Sequence, residues 1–347
     1  MLGTTRRTAF PVIVIVLLST AALAQFENFD PPDAANTEAT SINDSGEVAG
    51  WYWDTSGGIH SFRRSPDGAL ETFSAPLPNS QIQATGINSS GTIIGWVTDQ
   101  HAVAHSFLRP ASGLPVPFDV PGSSRSAAFT INSNGVIAGI CYLLGNINEQ
   151  SYVRDADGHI TVFRIPGTFR TLAVQINHAG FIAGYDQVEL GLSSAFHGFL
   201  RNPHAGGILI FDVPSSVSTK VSGMNNGGTI AGDFFDEHGS THHYIRTVDG
   251  KFTLFDTPGG SPIGFPGSVT GINDAGTVVG YYQDPHTLVY YGFVRAKNGV
   301  ITRFGDPAEA RGTNSGTFPS AINNNGAITG AYSDKSLAQH GFVVPQF

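Results

Sequence analysis

A repeat whose last copy is left unfinished constrains this chain more than any other feature. The core Ile-Asn-x-x-Gly recurs around Asn43, Asn88, Asn132, Asn177, Asn225, Asn273 and Asn323, with Met224 replacing Ile in the fifth copy. The spacings are 45, 44, 45, 48, 48 and 50 residues. A second element, Phe-x-x-Pro, closes six copies, as Phe73/Pro76, Phe118/Pro121, Phe163/Pro166, Phe211/Pro214, Phe255/Pro258 and Phe304/Pro307. The seventh copy reaches Phe347 without it, and the missing piece stands near the other end as Phe29-Asp30-Pro31-Pro32. A unit completed from opposite ends of a chain predicts a closed ring.

One copy reads as four strands. In the sixth, Ser268 to Ile272 is short and β-branched, and Asn273-Asp274-Ala275-Gly276 is a tight turn in which Gly takes positive φ. Thr277 to Tyr282 follows, rich in Val and Tyr, then Tyr290 to Arg295, an Asn298-Gly299 hairpin signal, and Val300 to Phe304. Pro307 ends the fourth strand because proline cannot continue a ladder. Asp67-Gly68, Asp157-Gly158 and Asp249-Gly250 repeat the hairpin signal. No stretch beyond residue 24 shows sustained helical periodicity. The expected fold is therefore all-β: a seven-bladed β-propeller with four antiparallel strands per blade, its last blade closed by the N-terminal strand. An open β-solenoid is the competing fold, but it would need caps over its end repeats.

Two aromatic positions recur. The third strand carries Phe62, Phe107, Tyr152, Phe199, Tyr244, Phe293 and Phe342, and the fourth carries Phe29, Phe73, Phe118, Phe163, Phe211, Phe255 and Phe304. Both sets are expected to form the core between blades. Polar positions recur too. His60, His105, His197, His242 and His340 precede the third-strand aromatic by two, while Gln150 and Tyr291 fill the other slots. Asp54, Asp99, Asp236, Asp284 and Asp334 follow the second-strand Gly by four. These copies belong to different blades, whereas a metal needs three or four ligands around one ion. The His and Asp positions are accordingly read as structural hydrogen-bond partners, with no metal and no cofactor. Six Arg in one third-strand slot, Arg64 to Arg295, are read as structural donors. Cys141 occupies a second-strand slot held by Tyr or Phe elsewhere and reads as a buried, unreactive thiol. No Gly-x-Ser-x-Gly elbow, phosphate loop or His-Glu-x-x-His occurs.

Residues 1–24 read as a cleavable signal peptide. Arg6 and Arg7 precede the apolar run from Phe10 to Leu18, and Ala22-Leu23-Ala24 is a cleavage site before Gln25. Residues 25–347 would then be one propeller domain, secreted or periplasmic, without membrane insertion after cleavage, and monomeric. Net charge is −9, with 13% charged residues and no basic stripe, which argues against nucleic acid and anionic membrane surfaces as partners. A single cysteine forbids an intramolecular disulfide.

The consensus Ile-Asn-x-x-Gly-x-Ile-x-Gly, then Asp, then His-Gly-Phe-x-Arg, then Phe-Asp-x-Pro-Gly resembles the HAF-type extracellular repeats of bacteria. The His-Ala-Phe triplet appears here as His-Gly-Phe at His197 and His340, and as His-Ser-Phe at His60 and His105. The resemblance covers the whole chain after residue 24. It implies a secreted bacterial repeat protein and supplies no catalytic residues. Departures from the repeat fall in longer loops expected on one face: Gln187 to Phe196, Gly259 to Gly267 and Ala308 to Thr317. Phe169, Phe196, Phe265, Tyr290 and Phe318 are the candidate ligand contacts there. The expected function is non-catalytic binding or scaffolding, with a glycan or envelope protein as ligand. The alternatives are an extracellular carbohydrate- or peptide-active enzyme with acids at the propeller mouth, and a purely structural envelope component.

Overall fold

A computed structural model describes residues 25–76, 80–190, 193–204, 206–258, 267–309, 312 and 315–347. The signal reading at residues 1–24, Phe265, and most of the Gly259 to Gly267 loop lie outside them. The described residues form 28 strands and no helix, so none crosses a membrane as a long apolar helix.

The strands form antiparallel meanders of four, following the repeat. In the first, Ala34–Ile42, Val48–Asp54, Ile59–Arg64 and Leu70–Phe73 pair in sequence order. There are six hydrogen-bonded sheets, five of four strands and one of eight. The eight-stranded sheet holds the meanders of repeats three and four, joined by one parallel pair, Glu149 with Arg170. The junction is made where the Glu149 amide donates to the Phe169 carbonyl at 3.2 Å and the Arg170 Nε lies 2.8 Å from the Glu149 carboxylate. Expecting a separate sheet for every repeat overlooked this fusion.

The chain ends are joined by strand pairing. Glu27, Asn28 and Phe29 pair with Val343, Phe342 and Gly341, completing the sheet of Thr317–Ile322, Ile328–Ser333 and Gln339–Val344. First strands touch first strands from repeat to repeat, and Ala34–Ile42 touches Thr317–Ile322 to close the circuit. The sheets thus form a closed β-propeller.

Local chemistry explains the repeat. Each Asn-x-x-Gly turn has its glycine at positive φ, 85° at Gly46 and 84° at Gly326, where a Cβ would be strained. The Asn side-chain oxygen accepts the amide four residues on, as from Glu47 to Asn43 at 2.9 Å. Its Nδ2 donates to the carbonyl of the next repeat's Asn: Asn43 to Asn88, Asn88 to Asn132, Asn132 to Asn177, Asn225 to Asn273, Asn273 to Asn323, and Asn323 back to Asn43 at 2.9 Å. One residue therefore closes its own turn and ties it to the neighbour.

The aromatic positions form the core between sheets. All seven third-strand aromatics are buried with 0% exposure. Phe29, Phe73, Phe118, Phe163, Phe211 and Phe255 each meet the third-strand ring of the following repeat, with centroids 5.6–6.5 Å apart. At the seventh joint Phe26 bridges Phe304 and Phe342. The recurrent Arg does more than donate hydrogen bonds: Arg64, Arg109, Arg154, Arg201, Arg246 and Arg295 lie over those same fourth-strand rings, 4.7–5.2 Å from the centroids. The second-strand glycine makes room for the ring. A Cβ on Gly184 would lie 2.1 Å from the Leu172 carbonyl oxygen and 2.7 Å from Phe199.

Candidate functional site

The recurrent His and Asp are brought together inside the sheets. His60 Nε2 lies 2.9 Å from Asp54, and His105, His242 and His340 lie 3.5–3.7 Å from Asp99, Asp236 and Asp334. Each imidazole Nδ1 also meets the residue after the fourth-strand Phe: Ser74 for His60, and Asp119, Asp212, Asp256 and Asp30 for His105, His197, His242 and His340, at 2.6–2.9 Å. Sequence reading overlooked this second partner, although the signal was present as the Asp of Phe-Asp-x-Pro. In the sixth repeat Tyr291 replaces His, and Asp284 accepts the amides of His286 and Thr287. The other second-strand Asp carboxylates also cap their own turns. Hydrogen bonds from Ser56, His60 and the Gly58 amide hold Asp54 well below the usual carboxylate range. Among the described residues no group of three or more His, Cys, Asp or Glu could hold a metal ion.

Of the candidate ligand contacts, Phe196, Tyr290 and Phe318 lie in strands rather than loops. The segment from Gln187 continues strand Ile182–Leu190 and pairs with Ser193–Arg201, so this departure from the repeat is a lengthened hairpin. Phe169 precedes a strand. These residues make two clusters. Tyr281, Tyr290 and Phe318 stack with centroids 4.9–5.9 Å apart. Phe196 meets Tyr185 at 5.7 Å, and the Lys220 ammonium lies 4.1 Å from its centroid. A lysine already covers that ring, and burial draws Lys220 below its ordinary value.

Two cavities lie at the inner strands. The central one, about 270 Å³, is lined by residues of every repeat, from Thr40 and Thr85 to Gln175, Ser222 and Ser320. Each first strand carries a bulge there that no repeated residue announces, as between Ala39 and Ser41. The bulge presents backbone and small polar side chains to the axis. Thr40 Oγ1, for example, is bound to the carbonyls of Ala49 and Ala84. The second cavity, also about 270 Å³, is framed by Trp96, Arg125, Phe129, Ile140, Tyr142 and Glu149 of repeats two and three. Phe129 lines both. Arg125 covers the Tyr142 ring at 3.9 Å, and the Tyr142 hydroxyl donates to Glu149 at 2.6 Å. Arg170 holds the other Glu149 oxygen. The result is a half-buried indole beside an exposed guanidinium stacked on a phenol, and a buried carboxylate. Sequence reading overlooked these residues because they lie in regular strands and meet only between repeats.

Two further carboxylates belong to the inner strands. Asp233 is fully engaged, accepting from Ser268 Oγ at 2.6 Å and the Val269 amide at 3.0 Å, with His243 Nδ1 at 2.8 Å. His243 is enclosed between Phe255 and Phe293, so this trio is a latch between neighbouring sheets. Glu38, opposite Trp51 in the ladder, is pushed up by burial to about 7.

No family model and no curated protein matches the sequence. Solved structures do match the fold. Virginiamycin B lyase from Staphylococcus aureus aligns with a TM-score of 0.59 at 17% identity, covering 92% of this chain and 98% of that one. Prolyl oligopeptidase B from Galerina marginata aligns at 0.61 and 10% identity, covering 87% of this chain and 48% of that one. At such identities the likeness is one of architecture.

Proposed function

We propose that this protein is a seven-bladed propeller, exported from the cytoplasm, that binds a glycan without transforming it. Seven blades follow from counting the eight-stranded sheet as two blades bridged at Glu149 and Arg170. Six Asn side chains that each donate to the next repeat, with Asn323 reaching back to Asn43, support that count. Export rests on the Arg6/Arg7 and Ala22-Leu23-Ala24 pattern and on the resemblance to HAF-type repeats. Residues 25–347 make up the single monomeric domain.

One observation carries the ligand reading: the cavity of Trp96, Arg125, Tyr142 and Glu149. Sugars are recognised by an aromatic face against their C–H bonds and by charged, bidentate groups at their hydroxyls. Trp96 offers the face, and Arg125 and Glu149 offer the polar groups. Glu149 is already bound by Tyr142 and Arg170, so it suits hydrogen-bond acceptance better than proton transfer. The test is a glycan screen by calorimetry on residues 25–347. Trp96→Ala should weaken binding about tenfold or more, with little change in melting temperature. Unchanged glycan binding in that variant would sink the assignment to this cavity. A catalytic reading is favoured by Glu38, a carboxyl able to exchange protons near neutral pH. Glycan or peptide turnover that survives repurification and is lost in Glu38→Gln would establish it.

A further inference from the structure

We propose that the groove between repeats three and four, on the face of the Asn-x-x-Gly turns, binds an oxyanion (sulfate, phosphate or carboxylate) on the guanidinium of Arg201. This site is separate from the aromatic cavity, which lies at the other end of the strands. The argument starts from the repeat. Six repeats carry an Arg in this third-strand slot, and five of those Arg have an acceptor. Arg64 donates to Glu27 at 2.8 Å, and Arg109 donates to Glu71. Both acids stand two residues before the fourth-strand Phe that the Arg covers. Arg154, Arg246 and Arg295 face Val116, Leu209 and Thr253 in that position, and each turns to the carbonyl of the residue after it, at 3.3–3.4 Å.

Arg201 does neither. The residue two before Phe163 is Thr161, so the acid is missing. The turn after Arg201 is one residue longer than the turn after Arg246: Asn202 pairs with Gly207, where Thr247 pairs with Lys251. Among the described residues the guanidinium has no hydrogen-bond acceptor, and it lies over the Phe163 ring, 4.8 Å from the centroid. It is half-buried, and burial lowers its affinity for the proton. A partly desolvated cation without a counter-charge gains from any anion that can reach it.

The space is present. A cavity of about 300 Å³ is lined by Arg201 together with Asn134, His159, Thr161, His178 and Pro203. Thr161 offers a hydroxyl. His178 is held through Nδ1 by Ser133 at 2.5 Å, which leaves its Nε2 for a ligand. The carboxylate in the lining, Asp155, is committed to its own turn: it accepts the His159 amide at 2.8 Å and lies 3.5 Å from the His159 ring. The groove between the last and first repeats provides an internal comparison. It is built from the same turns, but there Glu27 already neutralises Arg64. A bare oxyanion would leave most of the volume empty, so the anion is expected to be a substituent on a larger ligand.

The test titrates residues 25–347 with sodium sulfate, sodium phosphate and sodium glucuronate, against sodium chloride at equal ionic strength. The three probes separate the oxyanions from one another, and chloride removes general screening. Saturable binding of at least one is expected, weakened about tenfold or more in Arg201→Gln and unchanged in Arg246→Gln. Arg201→Lys should keep part of the affinity for a tetrahedral anion and less for a carboxylate, which needs the planar fork. A measurement on the unmutated chain guards against a folding defect. Phenylglyoxal should modify Arg201 before the other repeat arginines, and the bound anion should protect it. No saturable binding by any probe, equal binding by Arg201→Gln, or modification unaffected by anion would each overturn the proposal.

Discussion

At the scale of single residues, this fold rests on close fits between neighbouring strands and on contacts that join the two chain ends. Gly184 is absent-by-design space for the Phe199 ring and the Leu172 carbonyl. Gly184→Ala should therefore destabilise by about 1–3 kcal/mol through overpacking, read from the urea midpoint. His340 makes a different kind of contact, between the C-terminal and N-terminal strands. Its burial draws the imidazole down, but the hydrogen bond and charge of Asp30, with Asp334 behind, outweigh this and hold it above its ordinary value of 6.5. Because the folded value is raised, the stabilisation is fully present below that ordinary value and is lost as pH rises through the raised one. The urea midpoint of the unmutated chain should fall more between about pH 5.5 and about pH 8.5 than that of His340→Gln. Parallel curves for the two would remove His340 as a titrating contact. Both effects were half legible: the recurring Gly, His and Phe were visible, but the pairing of Gly184 with Phe199 and of His340 with Asp30 was not, because it runs across strands.

At the scale of the element, the Asn-x-x-Gly hairpin has two functions that substitution can separate. Asp in place of Asn keeps the oxygen that closes the turn and removes the amide that reaches the next repeat. Asn225→Asp should cost about 1–3 kcal/mol, since the Asn273 carbonyl loses its donor and faces a carboxylate. Asn177 is the internal control. Among the described residues its side chain accepts from Phe181 but donates to no carbonyl of the following repeat. Asn177→Asp should cost clearly less, and equal losses in the two variants would refute the tie between repeats. The hairpin was readable from sequence because its geometry is set within five residues. The bulge before it was not, since Thr40, Phe129 and Ser222 hold that position in different repeats and share no residue type.

At the scale of the whole molecule, stability depends on joining the two ends. Phe26 lies against Phe304 and Phe342, Phe29 against Phe62, and Glu27 pairs with Arg64. Removing residues 25–33 strips the outer strand from one sheet, uncovers Phe62 and leaves Arg64 without its acid. That chain should melt far below the intact one and aggregate through the unpaired edge of Gln339–Val344. An unchanged melting curve would contradict closure by the N-terminal strand.

The sequence by itself determined the period, the strand order within each repeat, the turn types and the closure. All of these follow from patterns repeated along one chain, where seven copies of Asn, Gly and Phe report the same local geometry. Only the tertiary structure decided which repeats fuse into one sheet, which Arg is left without an acceptor, and where aromatic and charged residues converge. Trp96, Arg125 and Glu149 are unremarkable in their own strands and become a cavity only when repeats two and three are packed. Likewise, the missing acid at Thr161 acquires meaning only when Arg201 of the next repeat is set over Phe163. A repeat fixes backbone geometry within each copy, whereas a site is made of side chains from different copies, whose meeting depends on packing across the joints.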